Sequence, residues 1–235
     1  MNSQIQKAID QLANKLELKF DKPDKFYKSF IHRSYLNENR SNDLKSNERL
    51  EFLGDAVLEL VVTEYLFKNF DYPEGELTAL RSALVRGKNL SDIAESVGVH
   101  DCIFLSEGEK KNTGKARSLI LANTFEAIIG NIYLENGMGE AARVINKLVI
   151  TKLDEIIKNK SYIDSKSFLQ EKIQETKKVT PSYKLLSQEG PDHAKRFTVG
   201  VYIQDELIAI GEGESKSKAE QQAATKAIKK ITDPD

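Results

Sequence analysis

The most informative stretch of this 235-residue chain is NERLEFLGDAVLELVVTEYLF, residues 47–67. Apolar residues recur through it at three- and four-residue spacing and surround most of the helix that this spacing predicts, as in a helix packed on nearly all sides. Yet Glu48, Glu51 and Asp55 share one face of that helix, within about 60° at 100° per residue. This face, which also carries Glu59, is either a solvated acidic stripe or a set of carboxylates whose mutual repulsion a bound cation would relieve.

A second apolar segment, SLILANTFEAIIGNIYLE at 118–135, also predicts a helix that carries polar side chains. Asn123 and Glu126 lie one turn apart in it, and the large apolar residues around Glu126 make a solvated position hard to explain. Two helices that each present oxygen ligands one turn apart are how helical proteins build sites for divalent ions. Oxygen ligands favour Mg²⁺ or Mn²⁺ over zinc or copper.

The two ends of the chain differ in periodicity. Helical spacing dominates the N-terminal part, in residues 5–16, 50–70, 77–97, 119–134 and 141–157. After a polar stretch at 158–166, a helix at 165–177 precedes predicted strands at 181–188, 195–204 and 206–211 and a last helix at 217–231. The middle strand shows the strict alternation of a half-buried strand, with apolar residues at Phe197, Val199, Val201 and Ile203.

These patterns predict two domains. An all-α domain is expected over residues 1–158, a linker over 159–164, and an α+β domain of order α-β-β-β-α over 165–235.

Composition limits the possible classes of protein. Hydrophobic residues at 40% and charged residues at 30% indicate a soluble globular chain. The net charge of −1 gives no bulk sign of a nucleic-acid partner, so any basic surface must come from local clustering. The single cysteine, Cys102, excludes an internal disulfide and a cysteine-based zinc cluster. Charges interrupt the apolar stretches, so we expect no membrane segment and a cytoplasmic location.

The segment NERLEFLGDAVL at 47–58 resembles the signature of the ribonuclease III family. Three further segments support the resemblance: FIHRSYLNE at 30–38, PEGELTALRSALV at 73–85 and LILANTFEAIIGNIYLE at 119–135. The C-terminal part resembles a double-stranded RNA-binding domain in KSFLQEKIQE at 166–175, GPDHAKRF at 190–197 and GEGESKSKAEQQAA at 211–224. Together they cover nearly the whole chain, in the order found in bacterial ribonuclease III.

The resemblance implies a homodimeric endoribonuclease that hydrolyses double-stranded RNA with Mg²⁺, or Mn²⁺ as a substitute, and uses no organic cofactor. The implied products carry 5′-phosphates, 3′-hydroxyls and two-nucleotide 3′ overhangs, and the implied role is ribosomal and messenger RNA processing. The family's metal ligands fall on Glu51, Asp55, Asn123 and Glu126, with Asp55 and Glu126 also taken as catalytic. Glu48 and Glu74 match supporting acidic positions, and Phe52 matches the dimer interface.

Asn123 departs from the family pattern, in which this position is commonly Asp. An amide oxygen still coordinates Mg²⁺, but the site loses a negative charge that hard cations favour. Asn123 is therefore a tolerated natural variant, an introduced substitution, or the mark of a relative that binds RNA without cleaving it. In the last case the protein would be a catalytically impaired or inactive scaffold for double-stranded RNA.

The RNA-binding motif points to a set of polar and basic residues. Lys216 and Lys218 open the last predicted helix, where unpaired N–H groups and the helix dipole already favour phosphate. By the same resemblance, the remaining RNA contacts are Gln170, Gln174, His193, Lys195 and Arg196. The alternative is that these are ordinary surface side chains of a neutral domain.

His32 and Ser34 also suggest a nucleophile pair. No acidic partner is implied for them, however, and a local capping or packing role is favoured.

Overall fold

A computed structural model describes residues 3–19, 23–39, 44–159, 162, 164–191 and 195–232. His193, one of the predicted RNA contacts, lies outside these residues. The chain divides into two units, Met1–Tyr162 and Ile163–Asp235. Across the described ranges, no helix is long and apolar enough to cross a membrane.

The first unit is built from helices joined by short turns. They are α1 Ser3–Lys15, α2 Pro23–Tyr27, α3 Arg33–Glu38, α4 Glu48–Asn69, α5 Glu74–Leu84, α6 Gly87–Val97, α7 Gly114–Leu148 and α8 Leu153–Lys158. Short 3₁₀ turns lie at Lys28–Phe30, Val99–Asp101, Glu109–Lys111 and Ile150–Lys152.

Helices α4 and α7 pack against each other at the centre of this unit. Leu58 and Val62 of α4 and Phe125 and Ile129 of α7 are almost fully buried in one apolar cluster. Burying a side chain of this size contributes about 1.5–3 kcal/mol. The core is therefore concentrated on the two helices that carry the candidate ligands.

Two of the predicted helical stretches are divided differently in the structure. Residues 77–97 form two helices, because Arg86 takes an extended conformation (φ −56°, ψ 134°) immediately before α6. Helix α7 joins two predicted segments, and Gly137 interrupts its helical geometry with φ 83° and ψ 176°. A positive φ of this kind is readily adopted only by glycine, so the kink falls where the residue allows it.

The second unit has the predicted order of helix, three strands and helix. Its elements are α9 Ser165–Lys177, β1 Ser182–Glu189, β2 Arg196–Ile203, β3 Glu206–Gly213 and α10 Lys216–Thr232. The strands form one antiparallel sheet in the order β1-β2-β3. Asp164 is the N-cap of helix α9. Its side chain accepts hydrogen bonds from the backbone N–H groups of Lys166 (3.1 Å) and Ser167 (3.0 Å).

The alternation along β2 produces the core of this unit. Val199, Val201 and Ile203 are buried, and Val201 and Ile203 pack in one cluster with Leu169 of α9 and Ala223 of α10. Strands β2 and β3 pair antiparallel and form a hairpin.

Candidate active site and RNA-binding surface

Two glycines bring the backbones of α4 and α7 into contact. A Cβ atom on Gly54 would lie 1.7 Å from the carbonyl oxygen of Glu126. A Cβ atom on Gly130 would lie 2.2 Å from the carbonyl oxygen of Leu50 and 2.9 Å from the nitrogen of Gly54. No side chain fits at either distance, so the helices approach this closely only because both positions are glycine.

This crossing places Glu51 and Asp55 of α4 beside Asn123 and Glu126 of α7. The proximity is visible in the electrostatics: burial, followed by the charges of Asp55 and Glu51, raises the pKa of Glu126 to about 7. Burial and the neighbouring charge of Glu48 raise the pKa of Glu51, while a hydrogen bond from the Asn123 side chain acts in the opposite direction. The predicted ligands thus form one crowded cluster, here called the carboxylate group. In it Glu51, Asn123 and Glu126 are half-buried and Asp55 is exposed.

The chemistry of this group fits a hard divalent cation. All four side chains offer oxygen atoms, as Mg²⁺ requires, and neighbouring carboxylates contribute to raising the pKa values of Glu51 and Glu126. Within the described part of the chain, however, no three His, Cys, Asp or Glu side chains already stand where they could hold a metal ion together.

The two supporting acidic residues differ in position. Glu48 accepts a hydrogen bond from Ser46 Oγ (2.8 Å) and pairs with Arg33 (3.6 Å), and its charge acts directly on Glu51. Glu74 begins α5, is exposed, and accepts a 3.5 Å hydrogen bond from Thr78 of its own helix. In the described part of the chain, the charge of Glu48 helps to raise the pKa of Glu51, whereas Glu74 raises the pKa of neither Glu51 nor Glu126.

A cavity of about 280 Å³ adjoins the carboxylate group. Its walls come from the start of α3, the start of α4 and the first turns of α7: His32, Arg33, Asn47, Glu48, Glu51, Leu119, Ile120, Asn123 and Thr124. Arg33, Glu48 and Leu119 are exposed, so the cavity reaches the protein surface. It is far larger than the roughly 10–15 Å³ that one water molecule needs.

His32 is confirmed as a helix cap. Its side chain accepts a hydrogen bond from the backbone N–H of Ser34 at the start of α3 (3.3 Å). Burial lowers its pKa.

Phe52 lies in an apolar stripe on the exposed face of α4. Phe52, Leu60 and Phe67 are 82%, 56% and 76% exposed, and they fall within about 80° of one another at 100° per residue. A run of large apolar side chains this exposed is typical of a protein–protein contact surface. Asp55 follows Phe52 by one helical turn, so the stripe borders the carboxylate group.

In the second unit, the predicted basic residues lie near the start of α10. Lys216 is its first residue, and Ser215 caps it by accepting a hydrogen bond from the backbone N–H of Lys218 (3.2 Å). Arg196 and Lys218 line a shallow cavity of about 410 Å³ together with Glu212, Gly213, Glu214 and Gln222. The structure thus brings Arg196 and Lys218 to one surface.

Acidic side chains pair with both of these cations. Lys218 pairs with Glu214 at 2.5 Å, and Arg196 pairs with Glu212 at 3.7 Å. The other predicted RNA contacts are Gln170 and Gln174, both exposed on α9, and Lys195, which is half-buried next to β2.

Sequence reasoning missed three residues that position the site. Gly54 and Gly130 set the distance between α4 and α7, and a glycine inside each apolar helical stretch was the available signal. Asn47 is buried and donates a hydrogen bond from Nδ2 to the carbonyl of Ser29 (2.9 Å), which fixes the start of α4. No pattern in the sequence marked this long-range contact.

Comparison with protein-family models assigns both units. A Ribonuclease-III-like model matches residues 24–153, and a double-stranded RNA binding motif matches residues 165–231. The first match covers more than half of the chain, and the second covers most of the α-β-β-β-α unit.

Curated relatives agree with this assignment. A protein of Enterococcus faecalis named Ribonuclease 3 is 42% identical over 204 residues, which are 86% of this chain and 88% of that protein. One of Pelotomaculum thermopropionicum with the same name is 38% identical over 226 residues, 96% of this chain and 94% of that protein. The solved nuclease domain of ribonuclease III from Campylobacter jejuni is 40% identical, with a TM-score of 0.55, over 61% of this chain and 96% of that one. The chain is a ribonuclease that belongs to the ribonuclease III family.

Proposed function

We propose that this endoribonuclease cleaves double-stranded RNA with Mg²⁺ at Glu51, Asp55, Asn123 and Glu126, leaving 5′-phosphate and 3′-hydroxyl ends with two-nucleotide 3′ overhangs. The observation that carries the proposal is the backbone contact of α4 and α7 at Gly54 and Gly130, which gathers these four side chains. The comparisons support the nuclease activity, and the oxygen donors support the choice of metal.

The four side chains have different proposed roles. Glu51 and Glu126 hold the ion directly, Asp55 is a ligand or orients the attacking water, and Asn123 is a weaker or water-mediated ligand. When bound, Mg²⁺ supplies the activation of water for attack on phosphorus and stabilises the leaving 3′ oxygen. Glu48 and Glu74 are the proposed supporting acids; Glu48 pairs with Arg33 (3.6 Å) and its charge acts on Glu51.

A second copy of the chain is the proposed partner of the apolar stripe on α4. The stripe of Phe52, Leu60 and Phe67 is long, exposed and continuous with the carboxylate face. The Campylobacter jejuni structure is described as containing a region involved in dimer formation of the nuclease domain. A two-fold dimer through this stripe would set one active site against each RNA strand.

The second unit would hold the duplex by its A-form shape, through Gln170, Gln174, His193, Lys195, Arg196, Lys216 and Lys218. The substrates we propose are ribosomal and messenger RNA precursors in the cytoplasm. The comparisons support action on RNA, because the relatives are named Ribonuclease 3.

The test is cleavage of an end-labelled RNA hairpin while Mg²⁺ or Mn²⁺ is titrated. Wild type should give discrete fragments with two-nucleotide 3′ overhangs. Glu126→Gln keeps the shape of the side chain and removes its charge, so it should reduce cleavage by more than the 10–100-fold typical of a residue that only supports a metal ligand. Glu59→Gln removes a carboxylate from the same helix outside the group and should cleave like wild type.

The outcomes separate the competing functions. Tight RNA binding with no product at any metal concentration would favour the scaffold, in which Asn123 has abolished turnover. Equal cleavage by wild type and Glu126→Gln would contradict the proposed site.

Dimerisation needs its own measurement. Phe52→Asp should lower the mass seen by analytical ultracentrifugation from that of a dimer to that of a monomer. Leu134→Asp alters another exposed leucine, 59% exposed on α7 outside the stripe, and should leave the mass unchanged.

A further inference from the structure

The imidazole of His32 is held in one orientation at the edge of the cavity beside the carboxylates. Its Nδ1 lies 2.8 Å from Ser34 Oγ and 3.3 Å from the backbone nitrogen of Ser34. Ser34 Oγ in turn accepts a hydrogen bond from the backbone N–H of Ser106 (3.1 Å). The ring is thus tied through Ser34 to two separate segments of the first unit.

The backbone contact assigns the tautomer of the ring. The backbone N–H of Ser34 can only donate, so we assign Nδ1 of His32 as its acceptor, and the 2.8 Å contact with the Ser34 hydroxyl shares the same lone pair. A neutral imidazole whose Nδ1 accepts carries its hydrogen on Nε2. Among the residues that the structure describes, Nε2 has no hydrogen-bond partner.

We propose that His32 is a substrate-binding residue whose Nε2–H donates to an oxygen of the RNA nucleotide occupying the cavity next to the scissile bond. The inference rests on the proposed function, because the cavity shares Glu48, Glu51 and Asn123 with the candidate metal site. A nucleotide bound there would lie beside the residues proposed to hold the metal ion. The acceptor is a non-bridging phosphate oxygen or a ribose 2′-hydroxyl, and both suit a fixed neutral donor.

The other walls of the cavity suit the same occupant. Arg33 follows His32 and adds a cation at the mouth, where its pairing with Glu48 is long (3.6 Å) and exposed and therefore weak. The exposed Leu119 provides an apolar surface for a sugar or base. Capping alone would not require histidine, since Asn, Asp, Ser and Thr are the usual capping residues.

The test variant is His32→Asn, because Asn keeps an oxygen that caps α3 but does not reach as far as the imidazole Nε2. Its kcat/KM on unmodified hairpin RNA should fall about tenfold, the cost of one hydrogen bond of about 1.4 kcal/mol. Its melting temperature should match wild type. His100→Asn, which changes a histidine outside the cavity, should change neither quantity.

Modified RNAs identify the acceptor. One set carries single 2′-deoxy substitutions around the cleavage site, and the other carries single methylphosphonates at the phosphates flanking the scissile one. In one of the two sets, a single modified RNA should be cleaved about tenfold more slowly by wild type, and it should slow His32→Asn no further. If that RNA is a 2′-deoxy RNA, the acceptor is the 2′-hydroxyl; if it is a methylphosphonate, the acceptor is the phosphate oxygen.

Three results would overturn the proposal: wild-type kcat/KM for His32→Asn, equal penalties in wild type and variant for every modified RNA, or a tenfold loss accompanied by a lower melting temperature. Failure of wild type to cleave any RNA would instead overturn the proposed function, and with it the premise that a nucleotide occupies this cavity during cleavage.

Discussion

The carboxylate group of the first unit and the basic surface of the second are built on opposite physical principles. Glu51, Asp55, Asn123 and Glu126 are placed by two helix backbones in direct contact, so neither helix can move without shifting the core. The basic surface consists of exposed side chains such as Lys218, whose paired acid Glu214 is exposed as well. A single change should therefore be severe in the first region and graded in the second.

Gly54→Ala tests the rigid region and should have the largest effect. The new methyl group would stand 1.7 Å from the Glu126 carbonyl oxygen, so α4 and α7 must separate. Overpacking of this kind costs about 1–3 kcal/mol or more, which exceeds the 0.5–1 kcal/mol that alanine gains over glycine in a helix. A displacement of about 1 Å at the reacting groups can cost about a hundredfold in rate, so we expect a loss of that order in kcat and a lower melting temperature.

Gly139→Ala is the matched control in the same helix α7. A Cβ atom at Gly139 meets nothing within 4 Å, so this variant should keep full activity and melt at the same temperature or slightly higher. If Gly54→Ala behaved like Gly139→Ala, the crossing would not position the site.

Lys216→Ala combined with Lys218→Ala tests the adjustable region. Affinity for a hairpin should fall about fivefold or more, and the slope of log affinity against log salt should shrink by about one for each lysine lost. Lys226→Ala with Lys230→Ala removes the same charge from the C-terminal part of α10, where both side chains bond carbonyls of β3. Equal losses in both double variants would show that net charge, and not the start of α10, holds RNA.

Asn123→Asp sharpens the comparison within the candidate active site. The Asn123 amide now donates a hydrogen bond to Glu51, which steadies the carboxylates without an ion. An aspartate would add repulsion to the metal-free protein and charge to the metal site. The Mg²⁺ concentration for half-maximal cleavage should therefore fall about threefold or more, and Mg²⁺ should raise the melting temperature further than in wild type. An unchanged Mg²⁺ dependence would show that the amide costs the site nothing.

The spacing of apolar residues predicted the helices and strands that are long enough to show a clear helical or strand period. The alternation of Val199, Val201 and Ile203 identified β2, and the three- and four-residue spacing identified α4 and the first part of α7. The short helices α2 and α3 escaped prediction, because 5 and 6 residues are too few to establish a helical period. The break at Arg86 was missed because apolar spacing continues across it.

The candidate site was only partly predictable for a related reason. The spacing of Glu48, Glu51 and Asp55 fits both a solvated stripe and a metal site, and the decision depends on what packs against it. That neighbour is α7, and the contact depends on Gly54 and Gly130, which are 76 residues apart. The resemblance to a family supplied the ligand residues, whereas a single sequence has no signal for which helices cross.

Glu214→Gln should have the smallest effect of these variants, and it should raise RNA affinity where the lysine variants lower it. Glu214 holds the side chain of Lys218 at 2.5 Å, and both are exposed, so the pair contributes little to folding but competes with phosphate for the lysine. Its removal should raise RNA affinity about twofold at low salt, and the gain should vanish at high salt, where the pair is already screened. Glu206→Gln, at the far end of β3, is the matched loss of one negative charge. If both variants gained equally, the acid would act through the net charge of the domain, and the basic surface would be less local than the pairing with Lys218 indicates.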